Sequence, residues 1–297
     1  MWAREAVQGL EPGSPAEAGA GRDRQSDRDL TLGWVREYES AVCKVKKEIP
    51  VKLIRGEHRT VIIRSFKEAV RHMLHVTNAG IVLQLLRNKR GVDTGHLRLQ
   101  GLKERFSYIY DKGIWVNGDD APRSGLGSSL NATRELREKL PGFLDGIGAK
   151  SVLDLGCGDF TWMAAVSLKQ DYTGADIVPS VIEANKARFP NNTFICVDAT
   201  RDELPKADVV ICREVLFHLS FADGRRLLEN VRRSGAIYLL TTSEESTFIN
   251  SDISSGDFRP LNLCKRPFGL PAPIATIDDG SITPTRYMGL WKTADLA

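Results

Sequence analysis

The sequence is poor in paired cysteines and in long apolar runs. Its five cysteines (Cys43, Cys157, Cys196, Cys212 and Cys264) lie far apart and form no C-x-x-C, so neither a zinc site nor a redox dithiol is supported. This usage fits a reducing, cytoplasmic setting. Cys196 and Cys212 fall within apolar, strand-like runs, where they are expected to pack as small hydrophobes. The longest apolar run near the front, AGIVLQLL, is too short to span a bilayer. The first 30 residues lack the apolar centre of a secretory signal. The chain is therefore expected to have no transmembrane segment. The run G-x-x-x-x-G-K-[ST] is absent after any strand-like stretch, which excludes a P-loop nucleotide site.

Charge is nearly balanced overall, at +3 over 297 residues, but unevenly spread. Residues 30–100 hold 14 Lys/Arg against 6 Asp/Glu, a balance of +8, whereas the chain beyond 100 holds 23 against 26, a balance of −3. A basic front segment thus joins a mildly acidic body. Such a segment is either a solvated helical face or a surface for an anionic partner.

Residues 1–29 are Gly, Ala, Pro and charge with little to bury, and are expected to be disordered. Residues 30–104 read as a helical N-terminal extension. In VIIRSFKEAVRHMLHV the apolar positions recur at helical spacing, and a second helix is expected over AGIVLQLLRNK, ending near Gly91. His72 and His75 lie one turn apart, but no third ligand accompanies them, so no metal site is expected.

After residue 150 the texture changes to alternating strands and helices. SVLDL, DYTGADI, TFICVD, DVVIC and GAIYLLTT read as five strands. PSVIEANKARF reads as a helix with Pro179 in its first turn, and Ser220 as the cap of FADGRRLLENVRR. PIATID and RYMGLWKT around Asp279-Gly280 read as an antiparallel hairpin on a two-residue turn. The fold class is α/β: a Rossmann-like, doubly wound sheet, mostly parallel, with a C-terminal antiparallel hairpin.

In such a sheet ligands bind beyond the carboxyl ends of the strands. The first strand runs into VLDLGCGDFTWM, where Gly156 and Gly158 allow backbone to approach a ligand. The turn is expected to feed a helix N-terminus suited to an anion. A dinucleotide site prefers a third glycine where Thr161 stands, and Asp154 would repel a diphosphate. Asp154 suits an ammonium group instead. Asp176 ends the second strand, where a carboxylate can accept from ribose hydroxyls. Asp198 ends the third strand, where it can accept from an adenine amino group. Each acid alone also reads as a turn cap; three on successive strand ends suit a ligand with an amino-acid end and a nucleoside end, which is S-adenosyl-L-methionine.

With VLDLGCGDF, ADI, CVDAT and DVVICREVLFHL in this order, residues 105–297 resemble the class I S-adenosylmethionine-dependent methyltransferases. The resemblance implies that Asp154, Gly156, Cys157 and Gly158 cradle the methionine part. It implies that Asp176 and Ile177 meet the ribose, and Asp198 and Ala199 the adenine. FSYIYDKGIW, SGLGSSL, GDFTWM and FRPLNL with PFGLPAP are also similar to an uncharacterised bacterial methyltransferase group associated with polysaccharide and other secondary biosynthetic loci. There Asn is expected where this chain has Thr161.

His218, after the fourth strand, is the candidate base for an acceptor hydroxyl; a packed or capping histidine is the bland alternative. Arg213 and Glu214, at the same strand end, either orient the acceptor or pair with each other. Trp162 and Trp115 are candidate lids over the cofactor or stacking surfaces for a sugar. Ser128 or Ser129 is expected to cap the helix in NATRELREKL. The Pro-rich FRPLNLCKRPFGLPAP is expected to line the acceptor pocket, with Arg259, Lys265 and Arg266 favouring an anionic acceptor.

The expected function is methyl transfer to a small-molecule or glycan acceptor, at oxygen. The basic front helices are candidates for contact with an anionic surface or for a homodimer interface. Two rivals stand: a non-catalytic methyltransferase-like binding protein, and an NAD(P)-dependent oxidoreductase, the latter disfavoured by Thr161 and by the missing catalytic Tyr/Lys pattern. Methylation of RNA bases is poorly supported, because CREV stands where an N-P-P-[YF] signature would follow the fourth strand.

Overall fold

The computed structural model describes residues 91–116, 121–280 and 283–296. The expected disordered tail, the two basic front helices and the His72/His75 pair lie outside the described residues.

Seven strands form one sheet: β1 (Ser151–Leu155), β2 (Asp171–Asp176), β3 (Thr193–Cys196), β4 (Val209–Cys212), β5 (Tyr238–Glu244), β6 (Ala275–Asp278) and β7 (Arg286–Lys292). Their order is β3-β2-β1-β4-β5-β7-β6. The first five pair in parallel, and β7 runs antiparallel to both β5 and β6. The strand order reverses at β1, whose carboxyl end abuts β4, and a crevice opens there.

The short apolar runs are buried on both faces, as parallel strands require. Along β4, Val209 and Ile211 face one core while Val210 and Cys212 face the other. Four α-helices are described: α1 (Leu102–Lys112), α2 (Arg134–Gly146), α3 (Pro179–Arg188) and α4 (Phe221–Arg233). Leu227, Leu228 and Val231 of α4 fill the core that holds Val210 and Cys212, and Leu136, Leu140 and Leu144 of α2, with Ile182 of α3, fill the one that holds Val209 and Ile211. Pro179 opens α3, where its missing N–H costs no bond. Ser220 caps α4 by accepting from the Asp223 N–H at 3.1 Å.

Four local expectations change. The glycine turn after β1 does not open an α-helix; only a 3-10 turn, Met163–Ala165, follows. Positive φ at Gly156, Gly158 and Phe160 is incompatible with a right-handed helix there. The Phe160 ring is instead spent on packing, against Tyr172, Phe189 and Phe194. Neither Ser128 nor Ser129 caps α2. Ser129 accepts from the Ala132 N–H at 3.2 Å in a preceding turn, and α2 starts at Arg134.

The hairpin forms, but not on a two-residue Asp-Gly turn. Residues 279–285 connect β6 to β7, and Asp279 is buried with its carboxylate turned to Arg213. Cys212 is buried as expected, whereas Cys196, at the end of an outer strand, is exposed.

Ahead of the sheet, α1 carries Phe106 and Tyr110 against Val178 and Val181. Arg105 donates to Leu99 O at 2.6 Å and to Ser255 O at 2.8 Å, and His96 Nε2 donates to Gly256 O at 3.1 Å. These bonds tie the turn Gly95–Arg98 and α1 to the segment after β5. No helix among the described residues is long and apolar enough to cross a membrane.

Candidate active site

One cleft lies at the carboxyl ends of β1–β4. It gathers Asp154, Gly156, Cys157, Trp162, Asp176, Ile177, Asp198, Ala199, Arg213, Glu214 and His218. Of the residues expected to hold the cofactor, Gly158 stands outside the lining. A Cβ at Gly158 would fall 2.9 Å from both Ser124 Cβ and Tyr110 Oη, so its bareness serves the packing of the 124–128 loop. Gly156 has φ +73°, and a Cβ there would lie 2.3 Å from Val215 Cγ2.

The carboxylates meet different surroundings. Asp154 is buried and accepts from the Tyr172 hydroxyl at 2.8 Å. Burial raises its pKa to about 7, with the Tyr172 bond opposing and nearby Asp176 reinforcing the rise. Asp176 accepts from the Gly158 N–H and the Val178 N–H, each at 3.0 Å. Burial raises its pKa, against the pull of these main-chain bonds. Asp176 thereby fixes the glycine turn, and the Gly158 N–H, expected to be open to an anion of the ligand, is taken by this carboxylate. Asp198 accepts from the Thr200 N–H at 3.0 Å and pairs with the exposed Arg201 at 3.0 Å. For Asp176 and Asp198 the bland and the functional readings coincide, since each orders a turn and also lines the cleft, whereas Asp154 lines it with the Tyr172 hydroxyl as donor.

At the β4 end, Arg213 and Glu214 do not pair with each other. Arg213 is clamped through two bonds by Asp279, at 2.9 and 3.0 Å, and donates to Gly127 O at 2.8 Å. Its guanidinium lies 5.5 Å from the Trp162 ring. Glu214 pairs with Arg286 and takes a left-handed φ of 62°. The partners are Asp279 and Arg286, which frame the β6–β7 connection; no local motif signals them.

His218 ends a 3-10 turn, Val215–His218. Its Nδ1 lies 2.9 Å from Asp257 O. A carbonyl only accepts, so Nδ1 carries the proton and Nε2 of the neutral ring keeps a lone pair. Burial lowers the imidazole pKa, with the Glu214 charge opposing. Trp115 lines the cleft beside this ring, the centroids 4.7 Å apart. Trp162, by contrast, is a buried wall and not a lid.

The Pro-rich stretch does not line the cleft. Arg259 is fully buried and donates to the carbonyls of Ser251, Leu216 and Leu219 at 2.7 to 3.0 Å. Lys265 and Arg266 are exposed elsewhere. The expected cationic acceptor site is therefore corrected: Arg259 holds loops together. Among the described residues no group of three His, Cys, Asp or Glu is arranged to hold a metal ion.

The residues fit a cofactor with a cationic amino-acid end and a nucleoside end. The acids stand on three successive strand ends, and bare backbone at Gly156 separates the first from the second.

Comparison with known proteins agrees. Residues 152–235, from β1 to just past α4, match the family model described as a methyltransferase domain. A search of curated proteins found no match. Among solved structures, the methyltransferase domain of bacterial CtHen1 aligns at 16% identity over 54% of this chain and 99% of its own, with TM-score 0.40. Magnesium protoporphyrin IX methyltransferase from Synechocystis PCC 6803 with bound SAM aligns at 14% over 65% and 97%, TM-score 0.43. The mitomycin 7-O-methyltransferase MmcR aligns at 17% identity, TM-score 0.43; the match takes in 55% of this chain and 54% of that one. Residues 152–235 thus carry a methyltransferase domain on the Rossmann-like sheet.

Proposed function

We propose that this chain methylates an oxygen of a small-molecule or glycan acceptor, with His218 as the base. The observation that carries the reading is the His218–Asp257 bond. It fixes the tautomer and leaves Nε2 as the proton-accepting atom of a residue that lines the cleft. Burial keeps that ring neutral at physiological pH.

When bound, S-adenosyl-L-methionine supplies an activated methyl group on a sulfonium. Asp154 would hold its ammonium group, with the backbone of Gly156, Cys157 and Gly158 beside it. Asp176, next to Ile177, would receive the ribose hydroxyls. Asp198, with Ala199, would meet the adenine. Trp162 forms the wall behind Arg213. Arg213 and Glu214 orient rather than react, because each charge is already matched. The catalytic unit is taken to span residues 105–297, with the turn Gly95–Arg98 packed onto it and residues 30–104 as an extension.

The test has two stages. Thermal unfolding is first compared with S-adenosylmethionine, S-adenosylhomocysteine and NAD, where a ligand at about 100 times its Kd adds roughly 2.7 kcal/mol. Stabilisation by the two S-adenosyl ligands alone is expected; stabilisation by NAD alone would support an oxidoreductase instead. Methyl transfer is then assayed with His218→Ala. Turnover should fall by about 10²–10⁴ while S-adenosylhomocysteine affinity stays within about twofold. Wild-type turnover in that variant would remove the base.

A further inference from the structure

The cleft is asymmetric in charge. Asp154, Asp176 and Asp198 lie at the ends of β1, β2 and β3 and leave the β4 end for a second ligand. At that end each charged side chain already has a partner of opposite sign. Arg213 is the single Lys or Arg among the described lining residues, and Asp279 neutralises it through two bonds. Glu214 pairs with Arg286, which also lies 3.5 Å from the buried Glu244. A buried guanidinium already shared between a carboxylate and the Gly127 carbonyl has little left for a phosphate or carboxylate on an acceptor. Glu214, half-buried and already bonded to Arg286, likewise offers little to a cation.

What the β4 end does present is ring surface. Trp115 is half-buried, lines the cleft and sits 4.7 Å, centroid to centroid, from His218. It is braced by Tyr110 edge-on at 5.8 Å and by Phe106 tilted at 6.1 Å. An aromatic braced on two sides is a rigid platform for the apolar face of a sugar or an aromatic ring.

We infer that the acceptor is an uncharged, hydroxyl-bearing ring compound that stacks on Trp115 beside His218. This rests on the methyltransferase reading above and names its substrate class. Trp115 then determines specificity. His218 takes the proton from the acceptor hydroxyl, whose oxygen forms the new C–O bond as the methyl–sulfur bond breaks and its electron pair returns to sulfur.

The test uses the full chain saturated with S-adenosylhomocysteine, with binding of that ligand measured separately by calorimetry. Two matched probes, p-nitrophenyl β-D-glucoside and p-nitrophenyl β-D-glucuronide, differ by one carboxylate. Saturation-transfer NMR should show the glucoside bound at least about tenfold more tightly than the glucuronide. Trp115→Ala should weaken the glucoside by about tenfold, and Trp115→Phe, which keeps a ring, by less, with S-adenosylhomocysteine affinity unchanged in both. Equal or tighter binding of the glucuronide, an undiminished glucoside signal in Trp115→Ala, or no glucoside binding at all would overturn the inference. Failure of S-adenosylhomocysteine itself to bind would overturn the methyltransferase reading instead, so the two failures are distinct.

Discussion

The Tyr172 hydroxyl donates to the Asp154 carboxylate at 2.8 Å across the paired strands β1 and β2. It is the direct protein donor to a buried acid whose pKa stands at about 7. The sign of the linkage follows. Asp154 titrates near 3.9 in the unfolded chain, so between the two values the folded state binds the extra proton. Stability from this group is full below about pH 4 and is lost as pH rises through about 7, by on the order of 4 kcal/mol. Unfolding free energies of wild type and Asp154→Asn, measured from pH 4 to 8, should diverge by that trend, with the variant flatter. Parallel curves would remove Asp154 as the source.

The same titration bears on the ligand. An ammonium group pairs with the ionised carboxylate, so S-adenosylhomocysteine affinity should rise between about pH 6 and 8. Asp154→Asn should flatten that rise. Calorimetry at three pH values decides it, and a pH-independent wild type would exclude the ammonium partner.

Asp176 both fixes the glycine turn and faces the cleft, so its loss should cost binding more than folding. Asp176→Ala should weaken S-adenosylhomocysteine by about tenfold or more, which is about 1.4 kcal/mol. Asp176→Asn can still accept through one oxygen from the N–H of Gly158 or Val178 and should lose less. Unchanged affinity in Asp176→Ala would take this residue out of the site.

The sheet was legible because its signals are local. Apolar runs, Pro179 and Ser220 each act within a few residues. The strand-end residues were legible too, because topology alone sends successive carboxyl ends to one edge. The lost helix after β1 depended on Phe160 finding Phe189 and Phe194, and no period within the segment encodes that. Asp279 looked like a turn residue because Asp-Gly usually is one. Its partner Arg213 lies 66 positions away, and only the sheet order brings them together. Arg259 looked like a cation for an anionic acceptor for the same reason: no local pattern shows that the carbonyls of Leu216 and Leu219, some forty positions away, would take its donors.

Arg259 should therefore behave as a structural residue. Arg259→Ala removes the guanidinium bonds to the carbonyls of Ser251, Leu216 and Leu219, of which Leu216 O keeps the Leu219 N–H at 3.4 Å. A loss of about 3–5 kcal/mol is expected, from buried carbonyls that lose a donor and from the space left by a large, fully buried side chain. Lys265→Ala and Arg266→Ala, both exposed, should stay within about 0.5 kcal/mol. Urea unfolding of the three variants gives the order. If Arg259→Ala were as stable as the other two, the three-carbonyl clamp would carry no weight.

Gly156 combines two constraints that a double variant can separate. Its φ of 73° penalises any side chain by about 1–2 kcal/mol, and a Cβ would sit 2.3 Å from Val215 Cγ2. Gly156→Ala should destabilise by the sum of strain and overpacking, about 2–5 kcal/mol. Val215→Ala removes the colliding methyl, so Gly156→Ala on that background should recover the overpacking part and keep the strain. A favourable coupling of about 1 kcal/mol or more in the double-mutant cycle is the expected result. Coupling near zero would mean that backbone conformation alone demands glycine at this position and that the Val215 contact yields freely. Val215 lines the same cleft. The cycle should therefore be repeated on S-adenosylhomocysteine affinity, where the added methyl at Gly156 should weaken binding even when Val215 has been cut back.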